Sequence, residues 1–154
     1  MVNNSTSGKP VLCTIGYTKK SLRRFIQLLL DAGVEKVVDI RRNNTSQLAG
    51  FSKKDDLAYI LSLVNIDYEH IIDLSPSAQL LARYHKDHDW AAFVADFRKE
   101  GKERQMLELA KQLAYSPQRL CLLCTEDRPD HCHRRIVAEW IKSLRQEIEI
   151  IHLV

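Results

Sequence analysis

The chain has 154 residues, the length of an ordinary domain with one hydrophobic core. Its 23 Lys and Arg against 20 Asp and Glu give a formal charge of +3, far below the basic excess that indicates nonspecific nucleic-acid binding. No run approaches the ~18 apolar residues of a membrane span, so no membrane partner is expected.

The polar segment 1–10 has neither the basic stretch nor the apolar run of a secretory signal. It is expected to be a disordered lead-in to a single domain over residues 11–154. Four cysteines follow without the spacing of a disulfide framework, so their thiols are expected to be reduced and the protein cytoplasmic. They are Cys13, Cys121, Cys124 and Cys132.

Five short runs of aliphatic and β-branched residues predict buried strands. They cover residues 11–17, 34–41, 66–71, 119–124 and 148–154.

Helical patterns lie between these runs. The first is expected over residues 18–32, with Thr18 as a cap and Gly33 as terminator. The second is expected after Ser52, a typical N-cap residue. The following segment, 75–117, predicts two or three helices.

The helices predicted over residues 75–117 are expected to be interrupted at "HKDHD" and at Gly101. A last helix is expected from His133 to Arg145. Strands alternating with helices predict a three-layer α/β sandwich, with a central, mostly parallel five-stranded sheet and helices on both faces, as in Rossmann-like and flavodoxin-like folds. Ligands bind such sheets beyond the carboxyl ends of the strands, which selects the loops after strands one, two and four.

The loop after the first strand, "GYTKKS", contains Gly16 and Tyr17. Gly16 permits a tight turn, and the start of the next helix suits an anion. The loop lacks the G-x-G-x-x-G pattern, so the sequence does not support a dinucleotide site.

The second strand ends in an acidic residue followed by two arginines. Strand alternation places Asp39 and Arg41 on one face and Arg42 on the other. Asp39 could therefore orient Arg41 toward the crevice, where its guanidinium suits phosphate or carboxylate. A purely structural ion pair is an equal alternative. A polar loop, 43–46, follows.

The loop after the fourth strand, "CTEDRPDHCHRR", combines several reactive residue types. A phosphatase-type loop from Cys124 requires arginine where the chain has Asp130, and the shorter sulfur-transferase loop requires it at Pro129. Both chemistries are therefore excluded by spacing. Cys121 lies three residues before Cys124, on the opposite face of the strand, and is expected to be core.

Metal binding and thiol chemistry both remain open for this loop. The potential metal ligands are Cys124, Glu126, His131, Cys132 and His133. At the start of the last helix, the thiol pKa of Cys132 should be lowered by the helix dipole and by nearby Arg134, Arg135 or a protonated histidine. Cys124 would then be a resolving thiol or a second ligand, unless both cysteines only pack.

The segments "TIGYT", "VVDIR", "FSKKDDLAYIL", "IDYEHI" and "LLCTED…CHRR" together resemble the domain of unknown function 488 family over Val11 to Leu153. The family has no established activity, so the resemblance implies the fold and the site but not a reaction. Family members often carry proline and further basic or aromatic residues where this chain has "RNNTSQLAG". The matching motif positions are Gly16, Tyr17, Asp39, Arg41, Phe51, Cys124, Glu126, Cys132, His133 and Arg134.

The first functional hypothesis is a small enzyme acting on a phosphate-bearing nucleotide, a nucleic-acid end or another anionic ligand. Its binding residues would be Gly16, Tyr17, Arg41 and Arg134. Glu126 or His133 would transfer a proton. Cys124 or Cys132 would be nucleophile or metal ligand.

Two other hypotheses use the same residues. One is a sensor module that binds a nucleotide, nucleic acid or metal without catalysis. The other is a structural clasp, with Arg134 paired to Glu126 and Cys124 packed on Cys132. The sequence specifies no cofactor and no oligomeric state.

Overall fold

The computed structural model of the chain describes residues 8–43 and 47–154, without the side chains of residues 47–49. Residues 1–7 of the expected lead-in and 44–46 of the expected polar loop lie outside the described residues. The strands are β1 (Val11–Gly16), β2 (Lys36–Asp39), β3 (Asp67–His70), β4 (Leu120–Cys124) and β5 (Glu149–Leu153).

Helices fill the intervals between the strands. They are α1 (Leu22–Asp31), α2 (Lys54–Leu63), α3 (Ala78–Asp87), α4 (Trp90–Glu103), α5 (Met106–Ala114) and α6 (His133–Leu144). Short 3-10 segments cover Gln47–Ser52 and Ile72–Leu74. Within the described residues, none of the helices has the length and apolar character needed to cross a membrane.

The five strands form one sheet in the order β3-β2-β4-β1-β5, and every described strand pair is parallel. The predicted three-layer α/β fold is confirmed. The order differs from the usual Rossmann and flavodoxin orders because β4 lies between β2 and β1. From β1 the chain continues to β2 and β3, at one edge of the sheet. From β4 it continues to β5, at the other edge. The strand order therefore reverses between the neighbouring strands β1 and β4.

Alternation along the strands divides the core between the two sheet faces. Cys13 and Cys121, neighbours in the sheet, pack with α1 and α2. Leu12 and Leu122 pack with the helices of the other face, α3 to α6. The assignment of Cys121 to the core, on the face opposite Cys124, is confirmed.

Three predicted helix boundaries are wrong. Helix α1 is capped by Ser21, whose hydroxyl accepts from the amide of Arg24, because Thr18 is bonded elsewhere. Lys53 rather than Ser52 precedes α2. Gly101 does not interrupt a helix but lies inside α4.

The reason for Gly101 is close packing. A Cβ at this position would lie 2.9 Å from the ring of Trp140 on α6. The glycine therefore lets α4 and α6 approach each other, which outweighs its low helix propensity.

Candidate functional site

The loops after β1 and β4 are bonded to each other at the carboxyl edge of the sheet. Thr18 donates both its amide and its hydroxyl to the carbonyl of Thr125, at 3.2 and 2.9 Å. The ammonium group of Lys20 lies 2.5 Å from the carboxylate of Asp127. These contacts fix the loop of residues 125–131, here called the β4–α6 loop, above the point where strand order reverses.

Gly16 is required by the close approach of that loop. A Cβ at Gly16 would lie 1.5 Å from the carbonyl oxygen of Glu126 and 3.0 Å from Nη1 of Arg134. No side chain fits in this space. Gly16 was predicted from the sequence to be a binding residue. In the structure its role is to leave space for the backbone of Glu126.

Arg134 is a clasp within the protein. Its side chain is 0% exposed. Its guanidinium donates to the carbonyls of Glu126 and Asp127, the latter at 3.1 Å, and its Nε donates to the hydroxyl of Thr14 at 3.3 Å. The clasp thus uses the backbone carbonyl of Glu126, not the carboxylate proposed from the sequence. The Glu126 side chain is exposed.

Asp39 and Arg41 form a buried ion pair, as strand alternation predicted. Nε and Nη2 of Arg41 donate to the two carboxylate oxygens at 2.9 and 2.8 Å, and Nη2 also donates to the carbonyl of Ser52. The guanidinium lies 5.2 Å from the ring centre of Tyr17. Tyr17 and Asp39 therefore both bind the guanidinium of Arg41. The negative charge of Asp39 compensates the buried positive charge of Arg41.

The ion pair sets the ionisation of Asp39. Burial alone would raise the pKa of this carboxyl. The hydrogen bonds and charge of Arg41, with the hydroxyl of Tyr68, outweigh burial and hold the pKa below its ordinary value. Asp39 is therefore charged at neutral pH.

His133, the first residue of α6, is oriented by a backbone carbonyl. Its Nε2 lies 2.7 Å from the carbonyl oxygen of Ile40, which can only accept a hydrogen bond. Nε2 therefore carries the proton, and in the neutral ring Nδ1 keeps its lone pair. Nδ1 lies 3.4 Å from Sγ of Cys124, at the end of β4.

The two cysteines that flank the β4–α6 loop, Cys124 and Cys132, have opposite tendencies to ionise. The pKa of Cys124 is lowered, mainly by a hydrogen bond from the Cys132 thiol and against the effect of burial. The pKa of Cys132 is raised well above its ordinary value by the same interaction and by burial. The expectation that the pKa of Cys132 is lowered is therefore wrong: the interaction with Cys124 and burial raise it, against the smaller effects of His133 and Arg134.

Three of the five potential metal ligands meet. Sγ of Cys124, Sγ of Cys132 and a ring nitrogen of His133 all lie within 4.8 Å of one another. We call these residues the Cys2His cluster. The described part of the chain places Glu126 and His131 outside this group, and both are exposed.

The Cys2His cluster lines a cavity of about 410 Å³, here called the site cavity. Arg41, Arg42, Glu126 and His131 also line it. An aromatic wall from α3 and α4 completes it. The wall consists of Tyr84, Trp90 and Phe93.

Sequence reasoning missed the aromatic wall. Tyr84 and Trp90 stand on either side of the predicted break "HKDHD", and their rings are 5.8 Å apart. Trp90 also stacks on His131, with ring centres 5.1 Å apart. Two aromatic residues flanking a predicted helix break were the available signal, but helical spacing alone also fits a core.

The sequence profile of the domain of unknown function DUF488 matches residues 21–141, most of the chain. The chain belongs to the DUF488 family. No curated protein and no solved structure matches it.

The DUF488 match includes the Asp39–Arg41 pair, the aromatic wall and the whole Cys2His cluster. Gly16 and Tyr17 precede the matched range. The profile match shows the family, and the parallel five-stranded sheet with its helices shows the fold.

Proposed function

We propose that this DUF488 protein is a small enzyme acting on an anionic ligand with a planar ring, such as a nucleotide, in the site cavity. The observation that carries the proposal is the convergence of Cys124, Cys132 and His133 on a cavity with an aromatic wall. Ionisable groups held together in a concave site are typical of catalysis.

The cavity offers a distinct contact for each part of such a ligand. Tyr84 and Trp90 provide aromatic surface in the cavity lining against which a planar ring can pack, and Trp90 is itself held by stacking on Phe93 and His131. Arg42 is the cation for the anionic group, because the charge of Arg41 is compensated by Asp39. Nε of Arg42 donates to the carbonyl of Pro76 at 2.6 Å, which positions its guanidinium.

The reacting groups have separate roles in this proposal. Cys124 supplies the thiolate, to the ligand or to a metal ion. In the metal-free protein, His133 Nδ1 accepts the Cys124 proton. Glu126, an exposed carboxylate on the same cavity, exchanges protons with the ligand. Arg134 and Gly16 act as positioning residues that hold the β4–α6 loop. Cytoplasm, where thiols stay reduced, suits this chemistry.

The test is a turnover screen of the full chain. The protein is incubated with nucleoside monophosphates and planar aromatic carboxylates, and consumption is followed by mass spectrometry. We expect one class to be consumed, Cys124→Ser and Glu126→Gln to abolish consumption, and Cys121→Ser and Asp130→Asn to retain it. Ordinary turnover by Cys124→Ser with native circular dichroism would contradict the proposal.

Trp90→Leu tests the aromatic wall separately. Base–aromatic contact contributes roughly 1–3 kcal/mol, so affinity for a planar ligand should fall by about 5- to 150-fold. Tyr115→Leu, at an exposed ring outside the cavity lining, is the matched control and should leave affinity unchanged.

The noncatalytic alternative predicts a different result. A sensor module would bind one of these compounds through the same Trp90-dependent contact and consume none of them. A nucleic-acid module would show affinity that falls steeply with salt. Lys20 is already paired with Asp127, which reduces the positive surface such a module would use.

A further inference from the structure

We infer that the Cys2His cluster binds one soft divalent metal ion, zinc in the first place. The ligand atoms are Sγ of Cys124, Sγ of Cys132 and Nδ1 of His133, with the fourth position facing the site cavity. The inference rests on the proposed function in placing this metal at the reacting end of the cavity.

The distances fit a tetrahedral site. Zinc–sulfur and zinc–nitrogen bonds of about 2.3 and 2.0–2.1 Å separate tetrahedral S and N ligands by about 3.5 Å and two S ligands by about 3.8 Å. Cys124 Sγ and His133 Nδ1 are 3.4 Å apart. The two Sγ atoms and a ring nitrogen of His133 lie within 4.8 Å of one another, close enough for one ion to reach all three residues.

The orientation of His133 is that of a metal ligand. Histidines that bind metals usually donate their other ring N–H to a carboxylate or backbone carbonyl, which fixes the tautomer. His133 donates Nε2–H to the carbonyl of Ile40, and this leaves Nδ1 as the nitrogen with a lone pair. The edge of the ring is packed against Phe97, whose centre is 5.8 Å away.

The side chain of Cys132 interacts with Cys124 and does not cap α6. It is the N-cap residue of α6, yet its side chain makes no capping hydrogen bond. Cys124 and Cys132 are 5% and 3% exposed, so a bound metal would compensate buried thiolates that water reaches poorly.

Three protein ligands suit a catalytic rather than a structural zinc. Structural sites close the shell with four protein ligands, whereas catalytic sites use three and leave one position open. The metal-ligand group in the described residues contains three members, all lining the cavity. The fourth ligand is therefore a water or a group of the bound molecule.

The test is a metal titration of the full-length protein after chelation under reducing conditions. We expect one Co²⁺ per chain, with thiolate-to-cobalt charge transfer and the intense visible bands of a tetrahedral site, and displacement by one Zn²⁺. Absence of stoichiometric binding, or an octahedral cobalt spectrum, in the natively folded wild type would overturn the inference.

Variants identify the ligands. Cys124→Ser, Cys132→Ser and His133→Gln should each weaken Zn²⁺ binding by more than the 10–100-fold typical of losing an outer-shell partner. Cys121→Ser, on the same strand but the opposite face, should bind normally. If one variant fails to fold, the other two and the wild-type spectrum decide. Unchanged affinity in a folded ligand variant would overturn the assignment.

The failure of this inference is distinguishable from failure of the proposed function. Turnover by metal-free protein, unchanged by Zn²⁺, would overturn the metal role and retain the enzyme. Stoichiometric tetrahedral binding without turnover of any compound would support the metal site and count against the enzyme.

Discussion

Nδ1 of His133 lies 3.4 Å from Sγ of Cys124 because the carbonyl of Ile40 holds the opposite ring nitrogen. This relationship joins two strand ends and one helix start. Ile40 follows β2, Cys124 ends β4 and His133 begins α6. The reactive centre therefore depends on the sheet order that brings β2 and β4 side by side.

Replacing Arg134 by methionine should destabilise the β4–α6 loop. The change removes a buried guanidinium, leaves the carbonyls of Glu126 and Asp127 without this donor and leaves Thr14 bonded to His152, which costs on the order of 3 kcal/mol in the free energy of unfolding. Denaturant unfolding measures the loss. Arg128→Met, at an exposed position of the same loop, should change stability by less than about 0.5 kcal/mol. Equal effects would contradict the clasp.

The Asp39–Arg41 pair can be tested by a double-mutant cycle. Asp39→Asn and Arg41→Met each leave an uncompensated buried charge, so each should cost about 3–5 kcal/mol of unfolding free energy. The double variant removes both charges and should cost clearly less than the sum. Additive losses would show that the two side chains stabilise the protein independently.

Strand alternation was sufficient to predict the Asp39–Arg41 pair and the separation of Cys121 from Cys124. It was sufficient because side-chain direction in a strand depends only on local backbone geometry. The position of Thr18 was not predictable in this way. Its hydroxyl could cap α1 or bond to Thr125, and the choice depends on a loop 107 residues away in sequence.

The ionisation of the two site cysteines also required the structure. Sequence places Cys132 at a helix start, which favours thiolate, but says nothing of its distance from Cys124. The interaction between the thiols permits only one to ionise easily, and His133 and the Thr125 amide lie on the side of Cys124. The aromatic wall was missed for a similar reason, since periodicity does not distinguish a cavity lining from a core.

His152 predicts a pH dependence of stability. Burial, with the nearby charges of Arg134 and Arg135, lowers its pKa below 6.5. The folded state therefore binds a proton less readily than the unfolded state. The contribution to stability is present above pH 6.5 and is lost as the pH falls through the lowered pKa.

The measurement is the free energy of denaturant unfolding as the pH is lowered from 6.5 through the pKa of His152. His152→Gln should flatten the decline on acidification, and His85→Gln, at an exposed position, should leave it unchanged. If the free energy of unfolding declines on acidification as steeply in His152→Gln as in the wild type, groups other than His152 cause the decline.

The four cysteines lie in different environments, so the lowered pKa of Cys124 can be tested against three other thiols in the same protein. Burial raises the pKa of Cys13 to about 11, and the pKa of Cys121 is also raised well above its ordinary value. The pKa of Cys132 is raised as well, whereas that of Cys124 is lowered. Cys124 is therefore the thiol expected to react near neutral pH. Removing its hydrogen-bond donor by Cys132→Ala should raise the Cys124 pKa and slow the reaction at pH 7.

The most direct measurement is the pH dependence of iodoacetamide alkylation of the metal-free protein, with each site quantified by peptide mass spectrometry. We expect Cys124 to react first, with a midpoint below that of an ordinary cysteine, and Cys132→Ala to shift this midpoint upward. Preferential reaction at Cys132, or a Cys124 midpoint at or above the ordinary value and unaffected by Cys132→Ala, would contradict the account.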